Sequence, residues 1–174
     1  MASVVVIEES HGTFARALAN PKKKIRSKTI GSLINYAASV QVITEMEMLK
    51  LWEALYYSFL MADGALIQSE LALAISTLFR SFTNREISYM YYRMFYRTVI
   101  GEWTSTDQNR IKKLCTLTRF MLREGMFFMK RELWSSTATV RIMNILKEEA
   151  LLKTPNGLRF YICETYLEVS KEYS

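Results

Sequence analysis

Apolar positions along the chain recur mostly at helical spacing. Ile30, Leu33, Ile34 and Ala37 share one face of a segment that starts in the basic run at residues 22–28. Phe14 to Ala19 reads as a short helix before it, ended by Asn20-Pro21. Thr44 opens the next helix with Glu47 three residues on, a capping-box spacing in which each residue satisfies an orphan backbone donor of the other. From Leu51 to Met61 that helix is apolar almost all round, which predicts full burial. Asp63-Gly64 breaks it. The following helix starts at Gln68 or Ser69 and points Leu71, Ile75, Leu78 and Phe82 inward. After Thr83-Asn84, a segment from about Arg85 to Trp103 carries Tyr89, Tyr91, Tyr92, Phe95 and Tyr96.

The strongest periodicity follows. With Thr106 as its expected cap, Ile111, Leu114, Cys115, Thr118, Met121, Leu122, Gly125, Phe128 and Met129 form one stripe. A helix from about Thr137 to Leu152 uses Val140, Met143, Ile145 and Leu146. After the turn Thr154-Pro155-Asn156-Gly157, a last helix from about Leu158 to Ser170 uses Leu158, Tyr161, Ile162, Thr165 and Val169. Only Ser3–Ile7 hints at period two. The fold class expected is all-α, about eight helices in antiparallel pairs. Pairs recurring every ~40 residues suggest a short HEAT-like helical-repeat array; a compact bundle is the alternative. The expected organisation is a mobile arm over residues 1–12 and a single helical-repeat domain over residues 13–174.

Composition supports this and narrows the chemistry. The 174 residues include only 6 Gly and 2 Pro, few for the tight turns of a sandwich or barrel. No uncharged stretch approaches the ~20 apolar residues of a membrane span, and the N-terminus lacks a signal-peptide pattern, so a soluble intracellular protein is expected, with no membrane partner. Cys115 and Cys163 form no metal-ligand or CxxC pair and sit among apolar neighbours; they read as buried free thiols in a reducing compartment. Most of the ten tyrosines and ten methionines fall at core spacing.

The formal net charge is +6, concentrated in two places: residues 1–43 carry six basic against two acidic residues, and residues 84–134 ten against five. The first cluster is Lys22, Lys23, Lys24, Arg26 and Lys28, where cations oppose a helix dipole and so suggest phosphate binding or a nuclear-import signal. The second is Lys112, Arg119, Arg123 and Lys130, whose spacing places them on one helical face opposite the apolar stripe; Arg85, Arg93 and Arg97 are candidate extensions. Such a row can follow a phosphate backbone or an acidic protein surface. Reversing Arg119 and Arg123 to Glu is expected to weaken that contact with little change in melting temperature. Catalytic signals are poor. His11 is the only histidine, no phosphate-cradling loop, nucleophile elbow or HExxH helix is present, and pairs such as Glu45/Glu47 and Glu148/Glu149 read as solvated faces. No cofactor, metal or small-molecule substrate is expected.

Three stretches resemble the ribosomal RNA-processing protein 1 family. They are Glu45 to Tyr57 with Met61-Ala62-Asp63 and Leu66 to Leu71; Glu102-Trp103 with Asp107, Arg110, Lys113-Leu114, Arg119 and Leu122-Arg123; and Pro155-Asn156-Gly157-Leu158 with Tyr166-Leu167-Glu168. Their order and spacing agree over residues 14–170, and the reading is of a short member without the long charged C-terminal extension common in the family. The resemblance implies a non-catalytic nucleolar or nuclear scaffold of large-subunit (pre-60S) assembly that supports pre-rRNA processing. The implied partners are a Brix-domain factor, its zinc-binding companion and a WD40-propeller factor, with pre-rRNA as a candidate ligand. Trp52, Asp63 and Trp103 match the family pattern and read as structural, with Asp63 organising the turn through its side-chain oxygen. The rival reading is a helical adaptor that binds acidic protein segments and no RNA; a small nuclease ranks last, for want of clustered carboxylates.

Overall fold

The computed structural model describes residues 16–103 and 107–173; the expected N-terminal arm, His11, Phe14 and Thr106 lie outside them. The regular elements among the described residues are all helices, with no strand. After a single turn at residues 16–18 come α1 (Lys23–Ser39), α2 (Glu45–Met61), α3 (Ala65–Thr77) with a 3-10 turn (Leu78–Arg80), α4 (Arg85–Trp103), α5 (Gln108–Arg131), α6 (Ser136–Ile145) continuing into a π-helix (Leu146–Leu151), and α7 (Asn156–Lys171).

Local chemistry sets these boundaries. Thr44 and Glu47 form the expected capping box at α2. Asp107, not Thr106, caps α5, its carboxylate accepting from the N–H groups of Asn109 and Arg110. Asn84 accepts from the N–H of Glu86 at the start of α4, and Ser135 from Ala138 at the start of α6. Gly64 turns the chain from α2 into α3 at φ 89°, a left-handed conformation that suits glycine, and lets α3 begin three residues before the expected Gln68.

Helices pack most closely with the next but one. One layer holds α2, α4 and α6 with its π-turn; the other holds α3, α5 and α7. Layer-to-layer contacts then join α2 to α3, α4 to α5 and the π-turn to α7, the two-layer arrangement of a stacked helical repeat. The aromatic α4 fills the centre: Tyr89, Tyr91, Tyr92, Phe95 and Tyr96 are all buried. Trp52 of α2 packs 4.5 Å from the Tyr91 ring and 5.3 Å from that of Phe95, and its indole N–H donates to the Tyr91 carbonyl. Tyr91 O–H in turn donates to the carbonyl of Ile75, tying α4 to α3.

Three apolar readings need correction. The stretch from Leu51 to Met61 of α2 is not buried all round: Tyr57 and Met61 are exposed, and among the described residues α4 is the helix that packs most closely on α2 within its layer. On α1, Leu33 and Ala37 are buried but Ile34 is exposed. On α6, Val140 and Met143 face outward and Ala138, Ile142 and Ile145 face in. The expected helix 137–152 is also not uniform. It widens into the π-helix at Leu146, and Glu149, expected on a solvated face, is 3% exposed, seven residues after Ile142 and four after Ile145 on the inward stripe of the helix.

Glu149 is the central charge of the first layer. Arg97 donates to it at 3.1 Å and Lys153 at 2.6 Å, and Arg93 lies 4.0 Å away. Burial works to raise its pKa, but the hydrogen bonds from Lys153 and Arg97 outweigh it and hold the carboxyl below its ordinary value. A depressed carboxyl stabilises the fold fully above the unfolded-state pKa of about 4.3, and that contribution is lost as pH falls through the lower folded value. Thermal melts of Glu149→Gln are therefore expected to show less stability than wild type at pH 7 and a smaller fall on acidification below about pH 4. Parallel curves would exclude this linkage. Glu124 has the opposite sign: burial raises its pKa despite Arg80, Arg123 and Arg131, so its contribution declines as pH rises through the folded value.

Candidate functional site

No group of three His, Cys, Asp or Glu side chains capable of holding a metal occurs among the described residues, and no described helix is long and apolar enough to cross a membrane. The surfaces are therefore considered as binding faces.

The cation row on α5 is real as a face but largely spoken for. Arg119 pairs with Glu168 at 2.5 Å and approaches Glu172 at 3.8 Å; Arg123 pairs with Glu172 at 3.3 Å. Both carboxylates belong to α7, which packs against α5 in the same layer. Lys130 lies over the Tyr173 ring at 5.7 Å, and Lys112 is exposed. The α5 face is therefore not opposite the packing interface; its centre borders α7. This corrects the expectation for charge reversal. Arg119→Glu with Arg123→Glu places four carboxylates along the α5–α7 seam and is expected to lower stability by about 1–2 kcal/mol, roughly 2–8 °C in Tm. Adding Glu168→Arg and Glu172→Arg should restore most of it. An unchanged Tm in the double reversal would mean the seam contributes nothing.

Arg85, Arg93 and Arg97 do not extend the row. Arg85 pairs with Glu132 at 2.9 Å, Arg97 bridges Glu45 and Glu149, and Arg93 faces Glu149, so each closes a contact between helices.

The basic start of α1 divides in two. Arg26 is buried: its guanidinium donates to the carbonyls of Asn20 and Pro21, both at 2.9 Å, and to Glu70 of α3 at 2.8 Å. It clamps α1 onto the array and is withdrawn from any ligand. Its bond holds the Glu70 carboxyl below its ordinary pKa. Lys23 is also drawn to Glu70, at 3.5 Å, but stays exposed. Lys22, Lys24 and Lys28 are exposed, and no carboxylate pairs with them among the described residues. The helix has no acidic residue in its first turn.

The three family-like stretches meet in space. The C-terminal carbonyls of α2 are satisfied from two of them: Lys113 Nζ donates to Leu60 and Ala62 at 2.8 and 2.9 Å, and Gln68 donates to Ala62 at 3.0 Å. Asp63, expected to organise this turn, does not. Its side chain is 99% exposed, with Lys113 Nζ at 3.8 Å as its neighbour; Gly64, Gln68 and Lys113 do the work. Trp103 is half-buried and lies 3.9 Å from where a Cβ on Gly157 would stand, joining the second stretch to the third. Trp52 is buried as expected.

The thiols are not both buried. Cys115 is half-buried, its pKa raised by that burial, and Cys163 is exposed. On α7 the inward positions are Leu158, Ile162, Thr165 and Val169, and Cys163 follows Ile162 by a hundred degrees. Cys163 instead lines an open apolar groove of about 260 Å³ between the α6/π segment and α7, with Met143, Leu146, Leu151, Ile162, Tyr166 and Leu167. Apolar neighbours in sequence do not reveal this groove.

Comparison with known proteins gives one consistent result. The family described as "Nucleolar protein, Nop52" matches residues 9–173. Ribosomal RNA processing protein 1 homolog B of Mus musculus is 31% identical over 172 residues, covering 94% of this chain and 24% of its own. The Homo sapiens homolog B is 32% identical over 168 residues, covering 91% and 22%. Homo sapiens homolog A is 29% identical over 162 residues, covering 88% and 35%. The chain thus spans about a quarter to a third of these curated relatives.

Proposed function

Since the chain belongs to the Nop52 family of nucleolar proteins, we propose that it acts in the nucleolus as a non-catalytic helical scaffold of large-subunit (pre-60S) assembly. In this reading it supports pre-rRNA processing by holding other assembly factors and a segment of pre-rRNA. The relatives it matches are named for ribosomal RNA processing. The partners proposed are those that the family resemblance implies: a Brix-domain factor, its zinc-binding companion and a WD40-propeller factor.

One observation carries the RNA part. Lys22 at the N-cap of α1, and Lys24 and Lys28 on its outer face, stand without carboxylate partners among the described residues, whereas Arg119 and Arg123 are neutralised by α7. Unpaired cations on a rigid helix can neutralise phosphates and release their counterions, which paired ones do poorly. Lys112 and Lys130 remain as secondary contacts. In this reading the primary RNA face lies on α1, and Arg119 and Arg123 of α5 serve the fold.

Ultraviolet crosslinking of the full chain to RNA tests this. Lys22→Glu, Lys24→Glu and Lys28→Glu together should cut the crosslinked yield at least tenfold with an unchanged melt. The slope of log affinity against log salt on single-stranded RNA should fall by about 2. An unchanged yield and slope would remove α1 from the RNA face.

A further inference from the structure

One end of the array gathers cations over aromatic rings. The 3-10 turn after α3, the starts of α4 and α6 and the ends of α5 and α7 meet there, tied by the ion pairs of Arg85 with Glu132 and of Arg141 with Glu86. Arg80 lies over the Phe127 ring at 4.9 Å, Lys130 over Tyr173 at 5.7 Å, Arg131 over Phe128 at 5.8 Å and Arg141 over Tyr89 at 5.1 Å. The Tyr89 and Phe128 rings are themselves 5.7 Å apart, so Arg131 and Arg141 flank one aromatic pair. The turn from α5 to α6 belongs to this end. It closes α5 in a Schellman motif: the Trp134 N–H donates to the Met129 carbonyl at 2.8 Å and the Leu133 N–H to that of Lys130 at 3.0 Å. Glycine commonly stands where Leu133 does in that motif. Here Leu133 and Trp134 both take left-handed backbone, at φ 53° and 54°, which bulky side chains rarely adopt. Packing does not account for this strain. Leu133 is 88% exposed and Trp134 46%, and the Trp134 indole has neither a ring partner nor a hydrogen bond among the described residues. Strain held at an exposed position is a sign of function rather than of packing.

The carboxylates described at this end are taken. Arg141 holds Glu86, Arg85 holds Glu132 at 2.9 Å, Arg80 stands 3.5 Å from the buried Glu124, and Arg123 pairs with Glu172. Lys130 and Arg131 are exposed and belong to no ion pair among the described residues. The surplus charge beside Trp134 is therefore positive. The exposed apolar surface of the turn is two side chains. That is too little for a stable protein interface, which covers about 800 Å² of each partner, but it is the size of one stacking platform. We propose that this end of the array binds single-stranded RNA, with an unpaired base stacked on the Trp134 indole and the flanking phosphates met by Lys130 and Arg131. The inference rests on the RNA reading given above and adds a base-stacking contact to the phosphate contacts of α1. Every base has a π-face, so the platform accepts any unpaired nucleotide and rejects a closed duplex.

The test uses the full chain and two labelled twelve-nucleotide probes, oligouridylate and an abasic strand with the same backbone. Fluorescence anisotropy should show oligouridylate binding at least about fivefold more tightly than the abasic strand. Trp134→Ala should remove that preference and leave the thermal melt in place, while Trp134→Phe should keep most of it. Lys130→Ala with Arg131→Ala should lower the slope of log affinity against log salt by about 1.4 for oligouridylate. A preference that survives Trp134→Ala, or equal binding of both probes by the wild type, overturns the proposal and leaves the α1 contact standing. Binding of neither probe overturns the RNA reading together with it. Tighter binding of a glutamate-rich peptide than of either strand, lost in Trp134→Ala, also overturns it and gives the turn to an acidic protein segment.

Discussion

Replacing Trp52 by alanine is expected to lower stability by about 3–5 kcal/mol, measured as a shift in the urea midpoint at constant slope. The indole is 1% exposed and sits between α2 and α4, against Tyr91 and Phe95. Truncation loses its buried area, leaves a cavity in a crowded aromatic cluster, and removes the bond to the Tyr91 carbonyl. A single domain holds about 5–15 kcal/mol in all, so this one change removes a large share. Trp52→Phe keeps most of the area but not the donor, and should fall between the two, near 1–3 kcal/mol. A loss below about 1 kcal/mol for alanine would place Trp52 outside the core.

Gly125→Ala is expected to have the second largest effect, despite adding one methyl group. A Cβ at this position of α5 would stand 2.5 Å from the Tyr92 hydroxyl and 3.0 Å from Cζ of the same ring. The ring cannot swing away. Tyr92 is fully buried, lies 5.0 Å from the Phe79 ring, and accepts a hydrogen bond from the Tyr96 hydroxyl at 3.1 Å.

 Burial also raises the pKa of the Tyr92 hydroxyl well above its ordinary value, so it stays protonated at neutral pH. Over-packing of this kind costs about 1–3 kcal/mol. Tyr92→Phe removes the 2.5 Å contact and leaves the 3.0 Å one, so the double variant should be more stable than the sum of the two single losses, by at least about 0.5 kcal/mol. Strict additivity in urea melts would show that α5 and α4 do not meet at this point.

The helices themselves were legible because their signals are local. The capping box at Thr44, the break at Asp63-Gly64 and the stripe from Leu114 to Met129 each lie within a few turns of chain, and each corresponds to what the structure contains. Which face meets a neighbour is not local. Val140 and Ile34 fall at plausible core spacing, yet no helix among the described residues covers them. Arg26 sits among lysines in sequence, and only the fold brings Glu70, forty-four residues away, to it. Arg119 and Arg123 form a clean cation row until α7 supplies Glu168 and Glu172. The π-turn at Leu146 has no motif of its own, and the groove beside Cys163 needs two helices to exist. Spacing identifies a stripe of charge, but only the neighbouring helix decides whether that stripe is a binding face or a seam.

The role proposed for this chain is that of a scaffold on precursors of the large ribosomal subunit. Gradient sedimentation of the tagged chain from its own cells, with and without RNase, tests it most directly. The account predicts migration with large-subunit precursors, and survival of a smaller protein complex after RNase. Migration only as a free 20.3 kDa species, with no pre-rRNA beside it, would contradict the account.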